Sequence, residues 1–269
     1  MKAPDVASAR SLLFVPGDRP ERFDKAAGCG ADGIVLDLED AVEPARKCAA
    51  RRHVADWLAS GGTGLVRING AETPWYTDDL AMVAEYGCPV MVPKAEPETL
   101  RSARLTAPVI ALIETAAGVL AASAICAVRG VTRAAFGSID LSTEIGIDAH
   151  DYDALSAARS AMVLASAAAG RPAPLDGVTV NVRDTDVVRK DAAAAARLGF
   201  GGKLCVHPNQ VSVVNGMFSP TDDQIEWARA VVTAAGAGGA AVLDGRMLDR
   251  PVLERARKIL SQVESVERQ

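Results

Sequence analysis

The chain has few of the residues that disulfides and thiolate or imidazole metal sites require. Its 269 residues include only five cysteines and three histidines, and no two cysteines form a C-x-x-C pair. An odd number of cysteines without such pairs is typical of reduced thiols in a cytosol, and we expect all five to be core or half-buried residues. Aromatic residues make up only 4% of the chain, so we predict an aliphatic core.

An excess of positive charge and a long apolar run are also missing. The net charge is -5, which argues against general attraction to nucleic acid or to an anionic membrane. No apolar stretch approaches the ~20 residues of a membrane span, and the first residues lack the apolar core of a signal peptide. We therefore expect a cytoplasmic protein that acts on small molecules and binds neither nucleic acid nor membrane.

Eight short apolar runs, separated by helical segments, are the main signal of the fold. They cover residues 12–15, 34–36, 65–66, 90–92, 109–113, 134–136, 178–180 and 202–206. Continuous rather than alternating apolar runs are typical of parallel strands that are covered on both faces. Eight β/α repeats predict an α/β fold, a (β/α)8 TIM barrel. The rival is an open doubly wound sheet, but its G-x-G-x-x-G turn is replaced here by Val15-Pro16-Gly17-Asp18.

The sequence predicts two parts, a barrel over residues 1–220 and a C-terminal helical extension over residues 221–269. Thr221 and Gln224 form a capping-box pattern ahead of a helix, and a Gly-rich segment at 236–239 separates this helix from a last motif and a final helix. The extension is too short to fold alone, so we expect it to dock on another surface.

Two carboxylates follow neighbouring strands and predict a metal site. Glu114 comes directly after the fifth apolar run and Asp140 follows the sixth closely, and the carboxyl ends of barrel strands meet at one rim. Two hard oxygen ligands without a nearby histidine favour Mg²⁺. The alternative for Asp140 is that it caps the helix that follows it.

Arg67 ends the third apolar run and points to the same rim. An arginine there can polarise a carbonyl or hold a carboxylate through two hydrogen bonds. The alternative is a structural ion pair with the D-L-E-D segment, which supplies Asp37, Glu39 and Asp40, and both roles can hold together.

Other polar residues near the predicted rim have weaker assignments. Lys94 follows the fourth run, where an ion pair is favoured over a Schiff-base role. His207 follows the last run and is typical of a hydrogen-bonding rim residue. A basic cluster early in the chain indicates a solvated helix face, with a nucleotide-phosphate contact as the alternative; it contains Arg46, Lys47, Arg51 and Arg52.

An ordered series of motifs extends over practically the whole chain. It consists of residues 10–17 (R-S-L-L-F-V-P-G), 37–42 (D-L-E-D-A-V), 66–69 (V-R-I-N), 93–94 (P-K), 113–116 (I-E-T-A), 136–141 (F-G-x-x-D-L), 199–203, 207–210, 218–220 and 247–251 (M-L-D-x-P). With these motifs the chain resembles the citrate lyase beta-subunit-like branch of the HpcH/HpaI aldolase and citrate lyase family.

The resemblance implies a (β/α)8 barrel that binds Mg²⁺ through Glu114 and Asp140. It implies cleavage or formation of a carbon–carbon bond in a 3-hydroxy-acid thioester of the citryl, citramalyl or malyl type, on coenzyme A or an acyl-carrier protein. Arg67 would stabilise the enolate oxygen, and Asp249 would be delivered from a neighbouring subunit of a homotrimer or hexamer to handle the proton on the enolate carbon. The implied catalytic residues are Arg67, Asp249 and Asp37. The implied substrate-binding residues are Arg67, Glu39, Asp40, Lys94, Pro16, Gly17 and His207.

Three other functions remain open from the sequence. The same enolate chemistry followed by attack of water would give a malyl-CoA-type thioesterase. A class II aldolase would cleave free 4-hydroxy-2-keto acids, and a non-catalytic subunit would serve only assembly.

Overall fold

Eight parallel strands close into a barrel in a computed structural model that describes residues 4–149, 151–236, 242–243 and 246–267. Strands adjacent in sequence pair with each other, and the last strand pairs with the first. The strands are β1 Ser11–Pro16, β2 Gly33–Asp37, β3 Leu65–Arg67, β4 Val90–Val92, β5 Val109–Ile113, β6 Val131–Phe136, β7 Leu175–Asp176 and β8 Gly202–Cys205. The predicted TIM-barrel fold is confirmed.

Helices connect the strands and cover the outside of the barrel, as parallel crossovers require. Short 3-10 turns at Pro20–Arg22 and Pro44–Arg46 precede the first two helices. The helices are α1 Phe23–Ala27, α2 Lys47–Ala59, α3 Tyr76–Tyr86, α4 Pro97–Ser102, α5 Ala116–Leu120, α6 Ala122–Cys126, α7 Ser138–Ile145, α8 Ser156–Ala168, α9 Thr185–Leu198 and α10 Pro208–Met217.

The main core cluster takes side chains from all eight strands. These residues are Leu12, Val35, Leu65, Met91, Ile110, Leu112, Ala135, Leu175 and Leu204, each at most 2% exposed. Side chains alternate between the two faces of a strand, so a residue two positions after a core residue also faces inward. This period places Asp37, Arg67 and Glu114 on the inner face, immediately beyond the aliphatic core.

The seventh strand lies before the predicted position of 178–180. Leu175 pairs with Ala135 on one side and with Gly202 on the other, and these pairings define β7. Residues 178–180 do not join the ladder, because the side-chain amide of Gln210 donates to the carbonyls of Thr179 (2.7 Å) and Asn181 (3.1 Å) instead.

Buried ions reinforce β7 from outside the aliphatic core. Asp176 is completely buried and accepts hydrogen bonds from Lys203 Nζ and Arg159 Nε, both at 2.9 Å. Burial alone would raise the pKa of Asp176, but the two cations outweigh it and lower the pKa. The cluster therefore fastens β7 to β8 and to α8.

The chain divides into two compact units, Met1–Gly216 and Met217–Gln269. The second unit contains α11 Asp222–Gly236, a ribbon of β9 Val242–Leu243 with β10 Arg246–Met247, and α12 Arg250–Glu267. Buried Ala228, Val231 and Ala256 join the two helices. The predicted Gly-rich segment lies, beyond Gly236, outside the described residues.

The capping box that was predicted for α11 is present. The backbone amide of Gln224 donates to Thr221 Oγ1 at 3.3 Å, and the amide of Thr221 donates to Gln224 Oε1 at 3.0 Å. No helix in the described part of the chain has both the length and the apolar character that crossing a membrane requires.

The cysteines follow the expectation with one exception. Cys88, Cys126 and Cys205 are buried and Cys29 is half-buried, but Cys48 is exposed. Cys48 lies in the first turn of α2, whose inward face is formed by Lys47, Ala50 and Val54 and excludes it.

Candidate active site

Asp37 and Arg67 lie opposite each other at the ends of β2 and β3. Asp37 accepts hydrogen bonds from Arg67 Nε (2.7 Å) and Nη2 (2.6 Å), and also from the backbone amides of Glu39 (2.9 Å) and Ala41 (3.0 Å). Asp37 is completely buried and both of its oxygens are engaged twice. Its contacts are those of a residue that positions Arg67, although the resemblance implies a catalytic role.

Three carboxylates and one aromatic ring surround the Arg67 guanidinium. Nη1 lies 3.0 Å from Glu39 and 3.2 Å from Asp40, and the guanidinium carbon is 4.7 Å from the centre of the Phe14 ring. Burial alone would lower the pKa of Arg67, but the surrounding carboxylates raise it, so the guanidinium remains charged. The predicted ion pair with the D-L-E-D segment is therefore present.

Lys47 binds the backbone of the D-L-E-D segment through its ammonium group. Its ammonium donates 2.8 Å hydrogen bonds to the carbonyls of Leu38 and Glu39 and lies 5.4 Å from the centre of the Trp75 ring. Lys47 is 6% exposed, so the prediction of a solvated basic face is wrong at this residue. Its spacing from Ala50 and Val54, three and seven residues on, was the signal that it shares their buried face.

Two other members of the basic cluster, Arg51 and Arg46, also have acidic partners. Arg51 donates to the buried carboxylate of Asp79 at 2.6 Å, and Arg46 lies 3.0 Å from buried Asp18. Arg46 and Arg52 are exposed, as predicted, whereas Arg51 is half-buried.

Glu39 is a buried carboxyl group with an incompletely satisfied oxygen. Its Oε2 is close to Arg67, but among the described residues no donor is aligned to form a hydrogen bond with it. Burial is the largest cause that raises the pKa of Glu39 to about 8; Arg67 opposes it, while Asp40 and Glu114 add to it. Glu39 therefore holds a proton more tightly than an ordinary carboxyl group does.

Glu114 faces the same interior at the end of β5. Its Oε1 accepts a 2.8 Å hydrogen bond from the backbone amide of Lys94. Burial raises the pKa of Glu114 to about 7, the Lys94 amide opposes this, and Asp140 raises it further. Gly137 makes room for this side chain, because a Cβ atom at position 137 would lie 2.6 Å from Glu114 Oε2.

Asp140 lies in the first turn of α7, whose N-cap is Gly137. It is therefore not the N-cap residue of this helix. Burial, followed by the charge of Asp40, raises the pKa of Asp140.

The acidic residues at this mouth fit a divalent cation. Glu39, Glu114 and Asp140 have raised pKa values, and Glu39 presents a buried oxygen without a hydrogen-bond donor. Within the described ranges, no group of three or more Asp, Glu, His or Cys side chains is arranged to hold a metal ion. A pair of carboxylates, with water and substrate as the other ligands, is how Mg²⁺ commonly binds.

Lys94 adopts an unusual backbone conformation next to Glu114. Its φ angle is 44°, in the left-handed region that non-glycine residues rarely occupy. Its ammonium is 3.8 Å from the exposed carboxylate of Glu72, which matches the ion-pair assignment. The strained backbone presents the Lys94 amide to Glu114.

Two other predicted site segments belong to the first unit. Pro16 ends β1, and the Gly17 amide donates to the Asp37 carbonyl at 2.8 Å, so these residues adjoin the Arg67 cluster. His207 is half-buried, and its Nδ1 accepts a hydrogen bond from the Asn209 amide at the start of α10. This contact is local, and the described hydrogen bonds do not join His207 to Arg67.

Asp249 lies in the second unit. It is exposed, and its Oδ1 accepts a 3.1 Å hydrogen bond from the Val252 amide at the start of α12. Asp249 is therefore held as the capping residue of this helix.

A closed parallel barrel with arginine and carboxylates at the carboxyl ends of its strands is the architecture of a TIM-barrel enzyme. The chain matches the HpcH/HpaI aldolase/citrate lyase family over residues 10–208 and the HpcH/HpaI aldolase C-terminal domain over residues 223–265. It therefore belongs to the HpcH/HpaI aldolase/citrate lyase family.

Curated relatives align along nearly their whole length. A citrate lyase subunit beta-like protein from Mycobacterium tuberculosis (strain ATCC 25618 / H37Rv) is 37% identical over 262 residues, which cover 94% of this chain and 95% of the relative. A (3S)-malyl-CoA thioesterase from Cereibacter sphaeroides (strain KD131 / KCTC 12085) is 33% identical over 272 residues, which cover 96% and 95%.

Solved structures share the fold and contain ligands. CitE from Mycobacterium tuberculosis in complex with magnesium, acetoacetate and coenzyme A has a TM-score of 0.83 and 36% identity, with coverage of 96% of this chain and 99% of that one. The citrate lyase beta subunit from the same organism, complexed with oxaloacetate and magnesium, has a TM-score of 0.72 and 36% identity, with coverage of 80% and 98%.

Proposed function

We propose that the chain is an Mg²⁺-dependent carbon–carbon lyase that cleaves or forms a 3-hydroxyacyl thioester. Its products in the cleavage direction are an acetyl thioester, of coenzyme A or an acyl-carrier protein, and an α-keto acid. The observation that carries this proposal is the position of a buried, charged arginine beside carboxylates with raised pKa values at one barrel mouth. Related structures with magnesium, an oxo-acid and coenzyme A support the ligand classes.

Glu114 and Asp140 would hold the metal ion. When bound, Mg²⁺ supplies positive charge to the oxygens of the keto-acid half of the substrate. Arg67 would hold the thioester oxygen, which becomes negative as the bond between the two halves breaks and its electrons form an enolate. Asp37 keeps the Arg67 fork oriented through its two hydrogen bonds.

Proton transfers complete the cleavage. The 3-hydroxyl group releases its proton to solvent as the carbon–carbon bond breaks, and the enolate carbon then takes a proton. We assign this last proton to Asp249, supplied by the second unit of a neighbouring subunit in a homotrimer or hexamer. Pro16, Gly17, Glu39, Asp40, Lys94 and His207 are the further proposed substrate contacts.

A panel of malyl-, citramalyl- and citryl-thioesters, assayed with and without Mg²⁺ for keto acid and free thiol, tests the reaction. Keto acid without stoichiometric thiol supports the lyase. Thiol without keto acid would instead assign the hydrolytic function, which the (3S)-malyl-CoA thioesterase relative makes the second candidate. Turnover of free 4-hydroxy-2-keto acids alone would assign a class II aldolase. If no substrate were turned over, the chain would be assigned an assembly role.

Metal binding by Glu114 is tested separately by calorimetric titration of Mg²⁺ into Glu114→Gln. We expect affinity to fall at least about tenfold, because a ligand is lost. Glu98→Gln is the matched control, since Glu98 is exposed on α4 and pairs only with Arg101 in the described contacts. Equal affinity in both variants would refute the ligand assignment.

Mixed oligomers test whether the site is shared between subunits. Arg67→Lys and Asp249→Asn should each be nearly inactive alone, with a loss of about 10²–10³ in kcat for the arginine variant. In a cyclic oligomer assembled from equal amounts of both, about a quarter of the sites would receive an intact Arg67 and an intact Asp249 if these come from different chains. If both came from the same chain, mixing would restore no activity.

A further inference from the structure

A cleft at the opposite end of the strands from the candidate active site carries three arginines. Its volume is ≈ 540 Å³, which lies within the range of small-molecule sites. The cleft is formed by residues 100–109 and 128–131, which lead into β5 and β6. Because Glu114 and Asp140 follow the carboxyl ends of these strands, this cleft at the amino ends is a separate site.

The cleft combines an apolar floor with a cationic rim. The floor consists of the buried side chains Leu100, Val109, Val128 and Val131. The rim consists of the exposed side chains Arg101, Arg104 and Arg129. A ligand that fits both parts has an anionic head and an apolar body.

The rim has a surplus of positive charge. Arg101 lies 3.0 Å from Glu98, but both side chains are exposed and such a pair contributes little energy. In the part of the chain that the structure describes, neither Arg104 nor Arg129 forms an ion pair. All three guanidinium groups can therefore take a ligand as partner.

Arg104 holds its place at the cost of backbone strain. Its φ angle is 46°, two residues after the end of α4, where a glycine usually ends a helix. The left-handed conformation is unfavourable for a non-glycine residue. Gly130, which also lines the cleft, has a positive φ angle of 98°.

We propose that this cleft binds a small organic phosphate, with a phosphate or polyphosphate head on the arginine rim and an apolar body of about nucleotide size on the floor. The planar fork of arginine matches phosphate oxygens through paired hydrogen bonds, which favours phosphate as the anion. The aliphatic floor provides contacts that inorganic phosphate alone does not use.

Calorimetric titration of the full-length chain with ATP and with inorganic tripolyphosphate, both without divalent cations, tests the proposal. We expect both probes to bind and ATP to bind more tightly, because its nucleoside contacts the floor. Arg104→Gly should weaken the binding of both probes at least about tenfold, since it removes charge-assisted hydrogen bonds to the phosphate oxygens. The same variant should be at least as stable as the parent chain, because glycine relieves the left-handed strain, so misfolding would not explain the loss.

Two controls separate this cleft from other sources of anion binding. Arg189→Ala removes an exposed arginine from α9 and should leave both affinities unchanged. Arg67→Lys alters the candidate active site and should also leave them unchanged. The proposal is overturned if neither probe binds at millimolar concentration, or if Arg104→Gly binds the probes as tightly as the parent chain does. It is also overturned if Arg189→Ala or Arg67→Lys loses as much affinity as Arg104→Gly. Displacement of ATP by a simple dicarboxylate as effectively as by tripolyphosphate would overturn it as well.

Discussion

Replacement of Asp37 by asparagine is the most direct test of how the Arg67 site is built. The change keeps the shape of the side chain and removes its charge. Each oxygen of Asp37 accepts one hydrogen bond from Arg67 and one from a backbone amide. In either orientation, the side-chain NH2 group of the new asparagine would therefore face two hydrogen-bond donors instead of accepting from them. Arg67 would stay buried.

The expected cost follows from these contacts. Two hydrogen bonds to a charged acceptor are lost, each worth about 1.5–3 kcal/mol, and breaking one partner of a buried ion pair costs about 3–5 kcal/mol. We therefore expect Asp37→Asn to lower the free energy of unfolding by about 3–5 kcal/mol. Asp40→Asn is the matched control, because Asp40 contacts the same guanidinium at 3.2 Å but its side chain is 60% exposed. Its loss should be at most about 1 kcal/mol.

Urea unfolding, followed by tryptophan fluorescence, measures both values. Trp57 and Trp75 lie in the barrel unit and report on it, whereas Trp227 belongs to the second unit. If Asp37→Asn and Asp40→Asn lose the same stability, burial and paired hydrogen bonds do not determine the strength of this ion pair, and the reasoning above is refuted.

Three further predictions concern single positions. A thiol reagent should label exposed Cys48 rapidly under native conditions but Cys205 only after unfolding, because burial raises the pKa of Cys205 to about 12. Fast loss of both thiols in a mass-spectrometric time course would contradict this. Gly137→Ala should reduce Mg²⁺ affinity at least about tenfold in a calorimetric titration, because the added Cβ displaces the Glu114 carboxylate; unchanged affinity would argue against a fixed Glu114 ligand. Thr221→Ala should lower the stability of the second unit by about 1 kcal/mol in thermal unfolding, through loss of the capping box, and an unchanged transition would mean that this cap contributes nothing.

The strands were predictable where apolar residues form continuous runs. The run at 109–113 coincides with β5, because a strand covered on both faces leaves no polar residue inside it. The error at β7 has a long-range cause. Residues 178–180 are suitable for a strand, but Gln210, far along the chain, donates to the Thr179 carbonyl that a ladder would use.

The site was predictable as a set of residues but not as a network. The period of two along each strand places Arg67 and Glu114 at the barrel mouth. The buried contact of Lys47 with the Glu39 carbonyl depends on how α2 packs, which its sequence alone indicates only through the spacing of Ala50 and Val54. The raised pKa of Glu39 arises from burial and from residues on several different segments, so it follows only from the three-dimensional arrangement.

The short strand β7 makes the wall of the barrel uneven in strength. In the described structure one register pair, Ala135 with Leu175, joins β6 to β7, whereas five join β1 to β2. Local opening is therefore expected to begin at β7, where amide hydrogen exchange should be fastest among the strands. The charge of Asp176, paired with Lys203 and Arg159, holds β7 to β8 and to α8. Because the folded pKa of Asp176 is lowered, this contribution is complete above the unfolded pKa of about 4 and is lost as the pH falls through the folded value. As the pH falls, β7 should therefore detach from its neighbours before the rest of the barrel unfolds.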